Sequence, residues 1–383
     1  MSEWITRNEA VALLGIRPQT LYAYVSRKLV AARPDPAEPR SSCYSKADVD
    51  RLLTRRSRGR RVADVAEQAI SWGEPVLPTA ISTVSGGRLF YRGRDVAKLA
   101  SDMTFEQVAA LLWDSPHFPQ ADRLAKFDPV LPPVEAALAM LASVAARSEP
   151  TTGRAPVALA GEAALVLRSA AAALGSDLSG IGGIVEGFVR RWNCGADAAR
   201  TIRTALIVMA DHELNASTFA ARVTASTGAP LAAAALAGLS AFLGPAHGAA
   251  TLRVRNLFDA AARIGARRAI QETLARGEPL PGFGHPLYPE IDPRAAILFE
   301  TFALPDLPGE LARHAAATTG LRPNVDFATV AMATACELPD DAPFRIFAAA
   351  RMAGWLAHAM EQALAGHLIR PRARYTGPPL ERS

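Results

Sequence analysis

Cysteine and aromatic residues are scarce in this sequence. Cys43, Cys194 and Cys336 are the only cysteines in 383 residues. They have neither the pairing of a disulfide framework nor the spacing of a zinc site, which points to a reducing cytoplasm and to no metal. Phe, Trp and Tyr together make 7% of the chain although half of it is apolar. Alanine dominates that half, a composition that favours closely packed helices over β-sandwiches. No basic segment followed by an apolar one opens the chain, so secretion is not expected. Between Arg222 and Arg253 there is no Lys, Arg, Asp or Glu. A membrane span needs about 20 strongly apolar residues. This stretch is rich in Ala and Gly and is bracketed by Pro230, Gly244 and Pro245, so it reads as a core or subunit-interface helix and no membrane contact is expected.

The length implies two or three domains. Charge is uneven: residues 1–61 hold thirteen Lys/Arg against six Asp/Glu, a net +7, so the remainder of a chain of net +5 carries −2. A polyanion would therefore bind the first sixth. There Thr6 and Glu9 form a capping-box pattern for a helix Arg7 to Leu14, Gly15 ends it, and Pro18 suits the first turn of a second helix reaching about Lys28. This is helix-turn-helix spacing, with Leu21 and Val25 facing inward and Gln19, Tyr22, Ser26 and Arg27 left for a DNA groove. Pro34, Pro36 and Pro39 mark a wing-like loop before Ser45 caps a further helix. The strings from Gln19 to Lys28 and from Tyr44 to Val49 resemble the MerR-like or excisionase-like winged helix-turn-helix family. Such modules bind duplex DNA or serve as protein adaptors, and the sequence leaves both open. A basic linker follows, with Arg55, Arg56, Arg58, Arg60 and Arg61.

Beyond the linker, Thr79 to Tyr91 alternates around Ser85-Gly86-Gly87, which predicts a β-hairpin. The rest shows helical periodicity. In the C-terminal half, Gly244-Pro245-Ala246-His247-Gly248, Gly282-Phe283-Gly284-His285-Pro286 and Asn324-Val325-Asp326 set two imidazoles and a carboxylate in glycine- and proline-marked loops. Such groups can polarise carbonyls and remove a carbon-bound proton. Singly, Asp326 also suits a helix start, Arg351 a surface ion pair and Arg370 a basic tail.

Together, and in this order, these motifs resemble the citrate synthase family, with His212-Glu213-Leu214-Asn215-Ala216-Ser217 before them and Asp292-Pro293-Arg294 between. Gly87 to Ala100 is similar to the opening segment of the bacterial enzymes, and Met352 to Gln362 and Arg370 to Gly377 to the family's closing segments. The resemblance implies a mostly α fold: a two-domain helical body with a short N-terminal hairpin, behind the small winged module. The expected boundaries are 1–54 for that module, 55–70 for the linker, 71–248 with 337–383 for a large domain and 249–336 for a small one. It further implies condensation of acetyl-CoA with oxaloacetate and hydrolysis of citryl-CoA. The alternatives are a 2-methylcitrate synthase using propionyl-CoA and a metabolite-sensing DNA-binding regulator. Asp326 would be the base, His247 the donor to the thioester carbonyl and His285 the donor to the ketone. Arg294, Arg351 and Arg370 would hold the oxaloacetate carboxylates with help from His212, Arg370 coming from the second subunit of a homodimer. No permanently bound cofactor is implied, coenzyme A entering as substrate. The sequence departs from the family at Pro289, where a Lys or Arg that helps bind coenzyme A phosphate is usual. Ala246 stands where a larger apolar residue is common, and Thr251 near a usual asparagine.

Overall fold

The computed structural model describes residues 4–14, 16, 20–21, 24–25, 29–35, 42–51, 77–120, 123–373, 375 and 377–378. The chain divides into two compact units, Met1–Leu77 with Pro371–Ser383, and Pro78–Arg370.

In the first unit, β1 (Trp4–Thr6) leads directly into α1 (Arg7–Leu14). The junction is a reciprocal cap: Thr6 N donates to Glu9 Oε2 at 2.8 Å, and Glu9 N to Thr6 Oγ1 at 3.4 Å. Strands β2 (Ala32–Pro34) and β3 (Ser42–Ser45) complete an antiparallel sheet of order β1-β3-β2, with Ile5 and Ala32 both opposite Tyr44. Ile5, Ala10, Leu14, Leu21, Val30, Tyr44 and Val49 make its core, and Val25 packs against them. Residues 46–51 are helical, and Ser45 Oγ accepts Asp48 N at 3.3 Å. The proposed DNA-contacting residues Gln19, Tyr22, Ser26 and Arg27, and the basic run Arg55 to Arg61, lie outside the described residues.

The second unit opens with β4 (Ser82–Ser85), β5 (Arg88–Tyr91) and β6 (Arg94–Asp95). Gly86 and Gly87 join β4 to β5 with φ of 56° and 73°, the left-handed pair that a two-residue hairpin loop requires. Helices follow: α2 (Val96–Asp102), α3 (Phe105–Leu112), α4 (Pro133–Ala145), α5 (Pro156–Ala173), α6 (Ile184–Trp192), α7 (Ala196–Met209), α8 (Ala216–Ser226), α9 (Leu231–Phe242), α10 (Ala250–Ile264), α11 (Ala266–Ala275), α12 (Pro293–Phe299), α13 (Asp306–Thr319), α14 (Val325–Ala335) and α15 (Ala342–Ala365). The uncharged stretch read as a buried helix is α9, which packs on α8 and α15. Among the described helices, α5 alone has the length and hydropathy of a membrane span, and 56% of it is buried inside the protein. Helix α15 is buried on every side from Ala342 to Met360, which makes it the axis of this unit.

Two hydrophobic clusters fill the unit. The larger gathers α2 to α9 around α15; the smaller contains Val254, Phe258, Ile270, Leu311, Phe327 and Val330. Helix α14 belongs to both, sending Val325, Ala328 and Met332 into the larger and Phe327, Val330 and Ala331 into the smaller. Full burial of each large apolar side chain is worth ~1.5–3 kcal/mol. The N-terminus of α14 is therefore anchored on two sides, and Asp326 is carried there.

Candidate active site

Asn324 organises the loops that meet at α14. Its Oδ1 caps the helix by accepting Asp326 N at 3.0 Å and Phe327 N at 3.3 Å. Its Nδ2 donates to Gly284 O at 3.0 Å, while Asn324 N donates to Gly282 O at 2.8 Å and Gly284 N to Arg322 O at 2.9 Å. These bonds tie the His285 loop to the start of the Asp326 helix. Gly282 has φ of 82°, and a Cβ there would lie 2.9 Å from Val254 Cγ2 and 3.0 Å from Phe327 Cβ, so both conformation and space call for glycine.

A second support holds the segment between α7 and α8. Gly354 N donates to Ala210 O at 3.1 Å, and Tyr91 Oη donates to Asp211 O at 3.0 Å. Asp211 Oδ2 accepts the Ser82 hydroxyl and lies 3.4 Å from His358 Nε2. Glu213 is left-handed, with φ of 52°, and is fixed there by bonds from Val84 N at 2.8 Å to its Oε1 and from its own N to Ser82 Oγ at 3.0 Å. His212 is thus presented from a turn braced at both ends.

The three imidazoles fall into one neighbourhood. His212 and His285 meet edge to face with centroids 5.1 Å apart, and His212 Nε2 lies 2.8 Å from Tyr288 Oη. His285 Nδ1 accepts Leu287 N at 3.2 Å, which leaves the proton of the neutral ring on Nε2 as a free donor. His247 Nε2 is 2.7 Å from Ser217 Oγ, which accepts the Trp355 indole N–H at 3.0 Å and donates to Asn215 Oδ1 at 2.7 Å. Burial, and next the charge of Arg351, lowers His247 to about 4. Burial, with Arg294 adding to it and Asp292 opposing, lowers His285 to about 4. Burial and then Arg294 and Arg351 hold His212 well below the ordinary range. At neutral pH all three are uncharged hydrogen-bonding groups.

Charge at the site is arranged asymmetrically. Asp292 caps α12 ahead of Pro293 and grips Arg294 bidentately, Oδ1 accepting Nε at 3.0 Å and Oδ2 accepting Nη2 at 2.8 Å. Oδ2 also accepts Val325 N at 3.0 Å, linking α12 to α14. Burial alone would raise Asp292, but Arg294 holds it below its usual value. Arg351 is buried on α15, not on a helix surface; its Nε donates to Met209 O at 2.9 Å and its buried Nη2 has no partner among the described residues. Burial pulls it down to about 10, although Asp211 opposes this. Burial pushes Asp326 up to about 6 against the pull of Arg294 and Arg351. Its carboxylate accepts no hydrogen bond from the described residues. A carboxylate stripped of donors is a base; a buried guanidinium with a spare N–H is a seat for an anion.

Six of the seven expected site residues, His212, His247, His285, Arg294, Asp326 and Arg351, are thus linked by contact or by electrostatic influence on one another. Arg370 is not brought to them; it is exposed beyond the end of α15. Sequence reading gave no role to Asp292, Asn324, Ser217, Tyr288 or Trp355. Asp292 could have been found, since an Asp before Pro at a helix start is a capping signal; Tyr288 and Trp355 carry no local signal. Among the described residues no group of His, Cys, Asp or Glu is placed to hold a metal ion.

Neutral donors, one unbonded carboxylate and buried arginines define a site for a carbon acid and an anionic acceptor. The family model "Citrate synthase, C-terminal domain" matches residues 70–170 and 163–372. "Putative citrate synthase 2" of Mycobacterium tuberculosis strain H37Rv is 35% identical over 337 residues, covering 76% of this chain and 88% of that protein. A 2-methylcitrate synthase of the same species, strain Erdman, is 35% identical over 185 residues, 45% of this chain and 47% of that one. The crystal structure of citrate synthase from Thermotoga maritima superposes with a TM-score of 0.68 at 24% identity, covering 82% of this chain and 98% of that one. The chain belongs to the citrate synthase family, and its activity is of citrate synthase type, an acyl transfer in which the acyl group becomes alkyl.

Proposed function

We propose that the chain condenses acetyl-CoA with oxaloacetate and hydrolyses the citryl thioester to citrate and coenzyme A. The observation that carries this reading is Asp326, raised to about 6 beside two buried arginines, its carboxylate accepting no hydrogen bond from the described residues. Asp326 takes a proton from the thioester methyl while His247 donates to the carbonyl oxygen on which enolate charge develops. That role needs a free N–H on Nδ1. In this structure the Ser217 hydroxyl, which accepts from Trp355, donates to Asn215 Oδ1 at 2.7 Å, so that N–H is present when the hydroxyl turns its hydrogen to His247 Nε2 instead. The nucleophilic carbon then attacks the ketone of oxaloacetate, whose oxygen is polarised by His285 Nε2–H. Arg294, Arg351 and His212 hold the carboxylates. Water cleaves the resulting thioester, releasing coenzyme A, and no metal or resident cofactor enters the reaction.

Similarity to a 2-methylcitrate synthase favours a second reading in which propionyl-CoA is the donor. One methylene discriminates by only about 1–3 kcal/mol. Thiol release with oxaloacetate and each acyl-CoA tests both readings: the higher kcat/KM names the substrate, and no release with either would overturn them.

The remaining organisation is part of the same proposal. The large domain is 71–248 with 337–383 and the small domain 249–336, supported by a smaller hydrophobic cluster that falls wholly within the latter span. The body is a homodimer in which exposed Arg370 enters the partner's site; mixing Arg370→Leu with Asp326→Asn protein should then restore part of the lost activity, and no recovery after subunit exchange contradicts it. Residues 1–54 bind duplex DNA through Gln19, Tyr22, Ser26 and Arg27, aided by linker 55–70, a reading supported by their net positive charge. Each phosphate contact should add about one to the logarithmic salt slope, and absence of binding at low salt leaves the adaptor role. Free Cys43, Cys194 and Cys336 suit a cytoplasmic setting.

A further inference from the structure

A cavity of about 320 Å³ opens beside His285, its wall including Tyr288, Pro289, Glu290, Arg322 and Asn324. It therefore touches both the loop proposed to polarise the acceptor and the cap of the helix that carries the base. Three other ionisable groups on its wall are quiet: Asp292 is committed to Arg294, His285 is neutral at pH 7, and burial pushes the Tyr288 hydroxyl up to about 12. The free charges are Arg322 and Glu290, and neither has an ion-pair partner among the described residues. The stretch Pro286 to Glu290 contributes no cation.

Arg322 is fixed where it matters. Its carbonyl accepts Gly284 N at 2.9 Å, and the next residue, Pro323, bridges to Phe283. The backbone is thus pinned between the His285 loop and α14 while the side chain is exposed. An acyl-CoA carries about four negative charges at pH 7, on a diphosphate and a 3′-phosphate. Binding that tail requires a cation outside the reacting centre, and the planar fork of arginine suits phosphate oxygens.

We infer that Arg322 receives a phosphate of the nucleotide part of the acyl-CoA at this cavity, with Glu290 opposing it. The inference rests on the condensing reading for its ligand, but it is tested by binding and not by turnover. Calorimetry on the full chain would compare coenzyme A, 3′-dephospho-coenzyme A and pantetheine with the wild type, Arg322→Leu, Arg322→Lys and Glu290→Gln. Arg322→Leu should weaken coenzyme A roughly fivefold to twentyfold, discounting for exposure, and leave pantetheine unchanged. Arg322→Lys should recover part of the loss. Glu290→Gln should tighten coenzyme A about twofold to threefold, and both effects should shrink as salt rises. Dephospho-coenzyme A shows which phosphate is held: an unchanged Arg322 effect assigns the diphosphate, a vanished one the 3′-phosphate. Equal weakening of coenzyme A and pantetheine, or no weakening of either, would overturn the assignment. Coenzyme A binding that depends on Arg322 in a protein releasing no thiol would instead sink the condensing reading and leave this one standing.

Discussion

The loop around Asp292 and the floor of the site at Arg351 bury guanidinium groups to nearly the same depth, Arg294 being 3% and Arg351 1% exposed, and hold them in opposite ways. Arg294 is matched fork to fork by Asp292, which also accepts Val325 N; within that pair the aspartate oxygens are fully used. Among the described residues Arg351 has one bond, to Met209 O, and its Nη2 is left alone, as is Asp211 Oδ1. An unmade bond on a buried polar group costs ~1–3 kcal/mol, and more for a charged one. The fold therefore commits Nε and Nη2 of Arg294 to Asp292 and leaves only its Nη1 for a ligand among the described residues, whereas Arg351 leaves most of its fork to be completed by one. The difference teaches that equal burial and equal charge do not imply equal roles; the partner atoms decide.

Removing the partner should break the first region most severely. Asp292→Ala strands the Arg294 charge and unties α12 from α14, so a loss of ~3–5 kcal/mol is expected, read as a fall in melting temperature. Arg351→Leu should show the opposite balance: a much smaller change in melting temperature and a KM for oxaloacetate raised roughly tenfold to hundredfold. Oxaloacetate added to the wild type should raise its melting temperature, and this shift should be lost in the Arg351→Leu protein. Similar stability losses for the two substitutions would dissolve the contrast.

A smaller effect is expected from pH. Asp326 binds its proton more tightly folded, at about 6, than at its ordinary 3.8. Its contribution to stability therefore rises as pH falls through 6 and is complete below 3.8, while above 6 the ionised group destabilises the fold. Asp326→Asn should accordingly raise stability near pH 8 by ~1–3 kcal/mol, with the gain gone below pH 4. In the active protein, kcat/KM should fall about tenfold per pH unit below about 6 as the base is protonated.

Much of this was legible in the sequence because it is local. Thr6 and Glu9 and Gly86-Gly87 are capping and turn signals read over two to four residues, and the histidine and aspartate motifs lie in such loops, although the cap at α14 is Asn324 and not Asp326. What escaped is what the fold assembles from afar: Trp355 reaching Ser217 from 138 positions away, and Tyr91 bracing Asp211 from 120. Burial was equally hidden. Arg351 sits in a helix whose alanines give no face to prefer, so a surface ion pair and a buried anion seat look the same until α15 is seen enclosed on all sides.

Asp326 is the residue on which the account turns. Steady-state thiol release should be compared for the wild type and Asp326→Asn at pH 8 with saturating acetyl-CoA and oxaloacetate, alongside oxaloacetate affinity by calorimetry. The predicted result is a fall in kcat of about 100- to 10,000-fold with oxaloacetate affinity retained. Turnover within a few fold of the wild type in the Asn variant would contradict the assignment of the base and, with it, the reading of the site.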